Sequence, residues 1–221
     1  MKLIIFDMDG TVLDTLADLT AALNYALQKN GLPPRTADEV RSFVGNGIRR
    51  LIERGVPAGT PAAAADAVHA DFTVYYEAHC ADSTAPYAGV RETIARLRAA
   101  GYKTAVVSNK ADYAAQKLAA RYFPGDFDFV AGETPETRRK PAPDMVFAAL
   151  KALGVPSAEA LYVGDSEVDI ETARAAGIPC VSVTWGFKSR AFLLSHGAAL
   201  LIDAPSQLPA LPVLRQGAER R

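Results

Sequence analysis

From residue 88 onward the chain alternates short apolar runs with helical segments, and this alternation narrows the possible folds more than any other feature. Residues 103–108, 127–130, 161–164 and 180–183 read as strands, and residues 91–100, 111–122, 143–153 and 168–176 as helices. Gly101, Gly154 and Gly177 follow three of those helices as stop signals. Units of this length, repeated in this order, build a parallel sheet with helices on both faces. The opening run Leu3-Ile4-Ile5-Phe6 has the unbroken apolarity of a strand buried on both sides. A last run at 200–202 is expected at the sheet edge. Residues 16–29, 37–43, 48–54 and 61–79 interrupt the pattern, because all have helical period and no strand separates them. This all-helical block reads as an insertion, and its exit, residues 83–89, has hinge-like composition. The expected fold class is therefore α/β, a doubly wound parallel sheet formed by residues 1–14 and 86–221, with residues 15–85 inserted. The polar end, residues 216–221, is expected to fray.

Bulk properties exclude several functions. The 221 residues carry a formal net charge of −1 with a pI near 6.3, so no cationic excess exists to neutralise nucleic-acid phosphates. No apolar run reaches membrane-spanning length. The chain enters its first strand without a charged leader. Cys80 and Cys180 lack metal-type spacing and are expected to pack as small apolar groups. A cytoplasmic protein, monomer or homodimer, with neither nucleic-acid nor membrane partner is expected. His69, His79 and His196 attract no catalytic role; the first two are expected to pack or to lie on the surface of an inserted helix.

The chemistry gathers at strand ends, where open α/β sheets place their ligands. The first strand runs into Asp7-Met8-Asp9-Gly10-Thr11. Two carboxylates that close call for a compensating cation. Asp-x-Asp-Gly is also a turn signal, and it opens Ca²⁺-binding EF-hand loops. Here, however, Thr11 and Asp18 stand where such a loop needs Asp or Asn and then Glu. Ser108-Asn109-Lys110 follows another strand near a helix start and suits either an anion or a helix cap. Lys140, fixed by Pro141, offers a point charge to phosphate or is a surface lysine. Gly164-Asp165-Ser166 with Asp169 repeats the carboxylate signal at a third strand end, or caps a helix. A doubly wound sheet brings all four together. Acids that bind Mg²⁺ and donors that hold phosphate oxygens indicate phosphoryl transfer.

With these four motifs in this order, the chain resembles the haloacid dehalogenase-like superfamily of phosphohydrolases along nearly its whole length. Gly45-Asn46-Gly47, Arg139-Lys140-Pro141-Ala142-Pro143 and Thr184-Trp185-Gly186-Phe187 make it most similar to the phosphoglycolate phosphatases. The resemblance implies a Rossmann-like core with a helical cap and a small phosphorylated metabolite as substrate. It implies Asp7 as the nucleophile that becomes a phosphoaspartate and Asp9 as the acid, then base. Mg²⁺ would be held by Asp7, the Asp9 carbonyl, Asp165 and, directly or through water, Asp169. Ser108, Asn109 and Lys140 would hold the phosphoryl oxygens. Gly10 would let the backbone turn around the phosphate, and Thr11 would orient Asp9. In the cap, Gly45, Asn46 and Gly47 would form a specificity loop, or Gly45 and Gly47 merely separate two helices; Arg49 is a candidate for a substrate carboxylate or is solvated.

Neighbouring activities fit less well. A β-phosphoglucomutase-type mutase usually carries Val where Thr11 stands, and an inorganic pyrophosphatase is a further possibility. A phosphonatase needs a cap lysine, and the cap has only Lys29. A dehalogenase lacks the acid at Asp9. A catalytically idle binding module has no need of Asp7, Asp9, Lys140 and Asp165 together.

Overall fold

The computed structural model describes residues 1–215, so the frayed tail expected at 216–221 lies outside the described residues. A six-stranded, all-parallel sheet forms the centre: β1 (Leu3–Phe6), β4 (Lys103–Ala111), β5 (Phe129–Glu133), β6 (Ala160–Gly164), β7 (Cys180–Val183) and β8 (Leu201–Ile202). Their spatial order is β5-β4-β1-β6-β7-β8. Phe6 pairs with Val106 on one side and Val163 on the other, which brings the carboxyl ends of β1, β4 and β6 to a common edge.

Side-chain alternation sends each strand to two cores. Ile4, Phe6, Val106 and Val163 face α5 (Val90–Ala99) and α6 (Asp112–Tyr122), against Ile94, Leu97 and Leu118. Leu3, Ile5, Ala105 and Val107 face α7 (Asp144–Leu153) and α8 (Glu167–Ala176), against Met145, Val146 and Ala173. All four residues of β1 are buried, as its unbroken apolarity requires. Trimming Ile5 to Ala is expected to cost about 2–5 kcal/mol.

The helical block lies between two very short strands, β2 (Leu13–Asp14) and β3 (Ala85–Pro86), which pair antiparallel where the chain leaves the sheet and returns. It comprises α1 (Leu16–Lys29), α2 (Ala37–Phe43), α3 (Gly47–Gly55) and α4 (Ala62–His79). Leu16, Leu19, Leu23 and Leu27 of α1 recur at helical spacing and belong to one core with Val68, Phe72 and Tyr76 of α4. α2 starts in a capping box: Thr36 Oγ1 accepts from the Glu39 N–H at 3.2 Å, and Glu39 accepts from the Thr36 N–H at 2.8 Å.

Several elements differ from expectation. β4 runs on to Ala111, so Ser108, Asn109 and Lys110 lie within the strand and not after it, and the short strands β2 and β3 had no counterpart in the sequence pattern. β5 begins at Phe129, two residues later than its apolar signal, because the Phe127 ring packs against Phe6 and Phe123 instead of entering the ladder. Residues Arg190–Ser195 form a short helix, α9, capped by the Ser189 hydroxyl; the sequence reading left this segment unassigned.

Candidate active site

Asp7 continues the ladder of β1, its N–H donating to the Val163 carbonyl at 2.9 Å, so its carboxylate stands at the common strand edge. One oxygen, Oδ1, accepts from the Met8 N–H at 2.7 Å and lies 3.0 Å from Lys140 Nζ. Asp165 follows β6 and Asp169 sits in the first turn of α8. Together with Asp7 they offer oxygens that all lie within 4.8 Å of one another. Burial and mutual repulsion of these carboxylates show in two of them, Asp7 and Asp165. Burial pushes the Asp7 carboxyl up to about 6, against the pull of Lys140. Burial, then the charges of Asp169 and Asp7, push Asp165 well above the usual carboxylate range.

The partners of each acid separate their parts. Asp169 is fully buried. Its Oδ1 accepts from Lys140 Nζ at 2.7 Å, and its Oδ2 accepts from the Ser166 N–H and hydroxyl at 3.1 and 2.7 Å. The helix-cap reading of this motif is seen directly: Asp169 ties the start of α8, and it also steadies the lysine. Lys140 also donates to Tyr162 Oη at 3.0 Å. Burial draws its ammonium down, but Asp169 and Asp7 outweigh burial and hold it well above the ordinary lysine value. Asp165 accepts from the Thr11 hydroxyl at 3.2 Å and from the Phe187 N–H at 2.7 Å. Thr11, expected to orient Asp9, therefore braces Asp165. Gly10 has φ 82°, and a Cβ there would lie 2.3 Å from Asp165 Oδ2, so the turn requires glycine. Gly186, in the loop after β7, approaches as closely: its Cβ would lie 2.3 Å from the Gly10 carbonyl.

Asp9 has a different companion. Lys110 Nζ donates to Asp9 Oδ1 at 2.9 Å and to Tyr76 Oη at 2.5 Å. Lys110 is buried; burial lowers its ammonium, but Asp9 and then Tyr76 more than reverse this. Lys110 stood in the sequence beside Ser108 and Asn109 but received no separate part there. Tyr76 gave no sequence signal, because its spacing from Phe72 marks an ordinary core position. Asn109 turns its amide inward: Oδ1 accepts from the Lys140 N–H at 2.7 Å, and Nδ2 donates to the carbonyls of Lys140 and Gly45 at 3.0 and 3.2 Å. Its side chain thus fastens two loops, while Asn109 still lines the cavity.

A cavity of about 590 Å³, counting the space open at its mouth, lies above these groups. Asp7, Asp9, Ser108 and Asp165 line its floor; Leu19, Val44, Ile48 and Leu51 from the helical block line its wall. Gly45 and Gly47 border it as expected, whereas Asn46 is not among its lining residues and its carbonyl accepts from Arg139 at 3.3 Å. Arg49 also stands outside. Ile48 and Leu51 turn into the cavity from α3, and Arg49 pairs with Glu53 at 3.1 Å and with Asp66. The expected carboxylate contact at Arg49 is therefore not made in this arrangement, because its charge is already engaged on the far side of the helix.

Comparisons with known proteins agree with this geometry. The family model described as haloacid dehalogenase-like hydrolase matches residues 4–183. A phosphoglycolate phosphatase of Caulobacter vibrioides is 39% identical over 210 residues, covering 93% of this chain and 88% of that protein. A solved structure from Lactobacillus delbrueckii subsp. bulgaricus, provisionally assigned as a phosphoglycolate phosphatase, is 40% identical with a TM-score of 0.90, covering 95% of this chain and 97% of that one. CbbY from Rhodobacter sphaeroides, solved in complex with phosphate, is 27% identical with a TM-score of 0.75, covering 97% and 99%.

Proposed function

Because this chain belongs to the haloacid dehalogenase-like hydrolases, we propose that it is a Mg²⁺-dependent phosphatase that cleaves a small phosphate monoester through a phosphoaspartate on Asp7. The observation that carries this reading is the buried cluster of Asp7, Asp165 and Asp169 beneath a cavity open to a small ligand. Similarity to phosphoglycolate phosphatases makes 2-phosphoglycolate the first substrate to test.

The acids fit a metal. Four carboxylates, Asp7, Asp9, Asp165 and Asp169, face two buried ammonium groups, Lys110 and Lys140. The remaining negative charge and the all-oxygen donor set match a hard divalent cation. Asp7 and Asp165, with the Asp9 carbonyl, would hold it, and Asp169 would orient that set through Lys140 and Ser166. When bound, the cation supplies charge neutralisation for the phosphoryl oxygens.

The chain's own groups divide the remaining work. Asp7 attacks phosphorus, forming the acyl phosphate, while the ester P–O bond breaks. Asp9, held at 2.9 Å by Lys110, gives its proton to the departing alkoxide. Asp9 then takes a proton from the incoming water, whose oxygen displaces Asp7 from phosphorus and releases inorganic phosphate. Ser108 and Lys140 hold the transferring oxygens. Residues 15–85 serve as the cap and residues 1–14 and 86–221 as the core; the cap helices exclude water and contact the non-phosphate end of the substrate.

The test is phosphate release from 2-phosphoglycolate, sugar phosphates and pyrophosphate, with Mg²⁺ and after exhaustive EDTA treatment. The expected result is turnover of monoesters that EDTA abolishes and Mg²⁺ restores. Undiminished turnover in EDTA contradicts the metal assignment, and pyrophosphate as the sole substrate contradicts the monoester assignment.

A further inference from the structure

Within the cavity one cation has no counter-charge. Lys188, in the loop after β7, is among the lining residues, on the same wall as Phe187. Its Nζ donates to the main-chain carbonyl of Ser42 in α2 at 3.3 Å and lies 5.6 Å from the centre of the Phe192 ring. No carboxylate pairs with it among the described residues. The other lining ammonium, Lys110, is engaged by Asp9 and Tyr76. An ammonium has three donors, and the Ser42 contact uses one. The lining that the helical block contributes, Val44, Ile48 and Leu51, is apolar and cannot satisfy a charged tail. Arg49 of α3 does not line the cavity and is paired with Glu53 and Asp66, and Arg139, bonded to the Asn46 carbonyl, faces Glu133.

We propose that Lys188 is a specificity-determining residue that binds a second anionic group of the substrate, at the end away from the phosphoryl group transferred to Asp7. This rests on the phosphatase reading above and deepens it: the preferred substrates are phosphate monoesters that also carry a carboxylate or a second phosphate. The core loop, and not the cap helix that bears Arg49, then supplies the charge that reads the substrate's tail. A neutral tail leaves the Lys188 ammonium without a counter-charge, whereas an anionic tail gains a charge-assisted hydrogen bond beside low-dielectric walls. Because Lys188 touches α2 as well, an occupied anion site also links the core loop to the inserted helices across the cavity mouth.

Two matched pairs of esters test this. 2-Phosphoglycolate and ethyl phosphate differ by a carboxylate; fructose 1,6-bisphosphate and fructose 6-phosphate differ by a phosphate. In the wild-type protein with Mg²⁺, kcat/KM is expected to favour the anionic-tail member of at least one pair. In Lys188→Gln that preference is expected to fall by about tenfold, equivalent to about 1.4 kcal/mol, chiefly through KM. Lys188→Arg is expected to restore most of it, and Arg49→Gln to leave it unchanged. A loss confined to one pair identifies which anion Lys188 meets. If Lys188 merely offsets the acidic floor, both members of a pair weaken together and the preference survives in Lys188→Gln, which overturns the proposal. Wild-type protein that cleaves none of the four esters overturns the phosphatase reading and this proposal with it; cleavage without any preference overturns this proposal alone.

Discussion

At the scale of single residues, the site is a set of acids whose mutual repulsion is held in check by two lysines. The raised pKa of Asp7, up to about 6, makes this measurable. A carboxyl whose folded value lies above its unfolded value near 3.8 favours the fold when protonated, and its contribution is lost as pH rises through about 6. In EDTA at pH 7, Asp7→Asn is therefore expected to raise the melting temperature above that of the wild type, and the gap is expected to close toward pH 4. A variant that melts below the wild type at pH 7 contradicts this account of Asp7. Lys110 offers a second test at this scale. Lys110→Met removes the group that holds Asp9, and kcat for phosphate release is expected to drop by about 10²–10⁴-fold, the range of a misplaced general acid. Asp7, Asp9, Ser108 and Asp165 were legible in the sequence because each lies toward the carboxyl end of a strand in a fold that collects strand ends, and Lys140, in the loop between β5 and α7, because a proline follows it. The partners Tyr76 and Tyr162 were not, since an aromatic residue at core spacing carries no sign of where its hydroxyl points. Which of its two readings Arg49 follows was not legible for the complementary reason: a charge beside a glycine loop says nothing about which side of the helix it takes.

At the scale of elements, the crossing between sheet and helices is a built joint. Besides the β2–β3 pairing, the buried carboxylate of Asp18 on α1 accepts from the Ser83 N–H at 2.9 Å, the Thr84 N–H at 2.8 Å and the Thr84 hydroxyl at 2.7 Å. Asp18→Ala removes all of these and leaves the donors unsatisfied, an expected loss of about 2–4 kcal/mol in urea unfolding. Asp18→Asn, which keeps the shape and some acceptors, is expected to lose less. An effect below about 0.5 kcal/mol for Asp18→Ala, the size of an ordinary surface change, contradicts the joint. The sequence showed hinge-like composition at 83–89 and an acid in the first turn of α1, but strands of two residues carry no periodicity by which to be read. The long helices and the four inner strands were legible because their burial repeats at their own period. β5 was displaced by Phe127, an apolar residue that serves the core without joining the ladder.

At the scale of the whole molecule, one sheet edge and one helical wall enclose a cavity. Metal binding is expected to report this as added stability: Mg²⁺ raises the melting temperature of the wild-type protein by mass action and leaves Asp165→Asn nearly unchanged. Equal shifts in both contradict the assignment of Asp165 as a ligand. The fold class and the positions of the catalytic motifs could be read from sequence because a repeating β/α pattern has few ways to close. Which helix faces border the cavity could not, because that depends on how the inserted helices sit on the sheet. The central claim is that Asp7 accepts the phosphoryl group. The most direct test is mass analysis of protein acid-quenched during turnover of 2-phosphoglycolate, alongside steady-state rates of Asp7→Asn. The account predicts one phosphoryl mass on the peptide that contains Asp7, and a rate loss of about a thousandfold or more in a variant that remains folded. Turnover by Asp7→Asn at a rate comparable to the wild type, with no phosphoryl mass on that peptide, would contradict it.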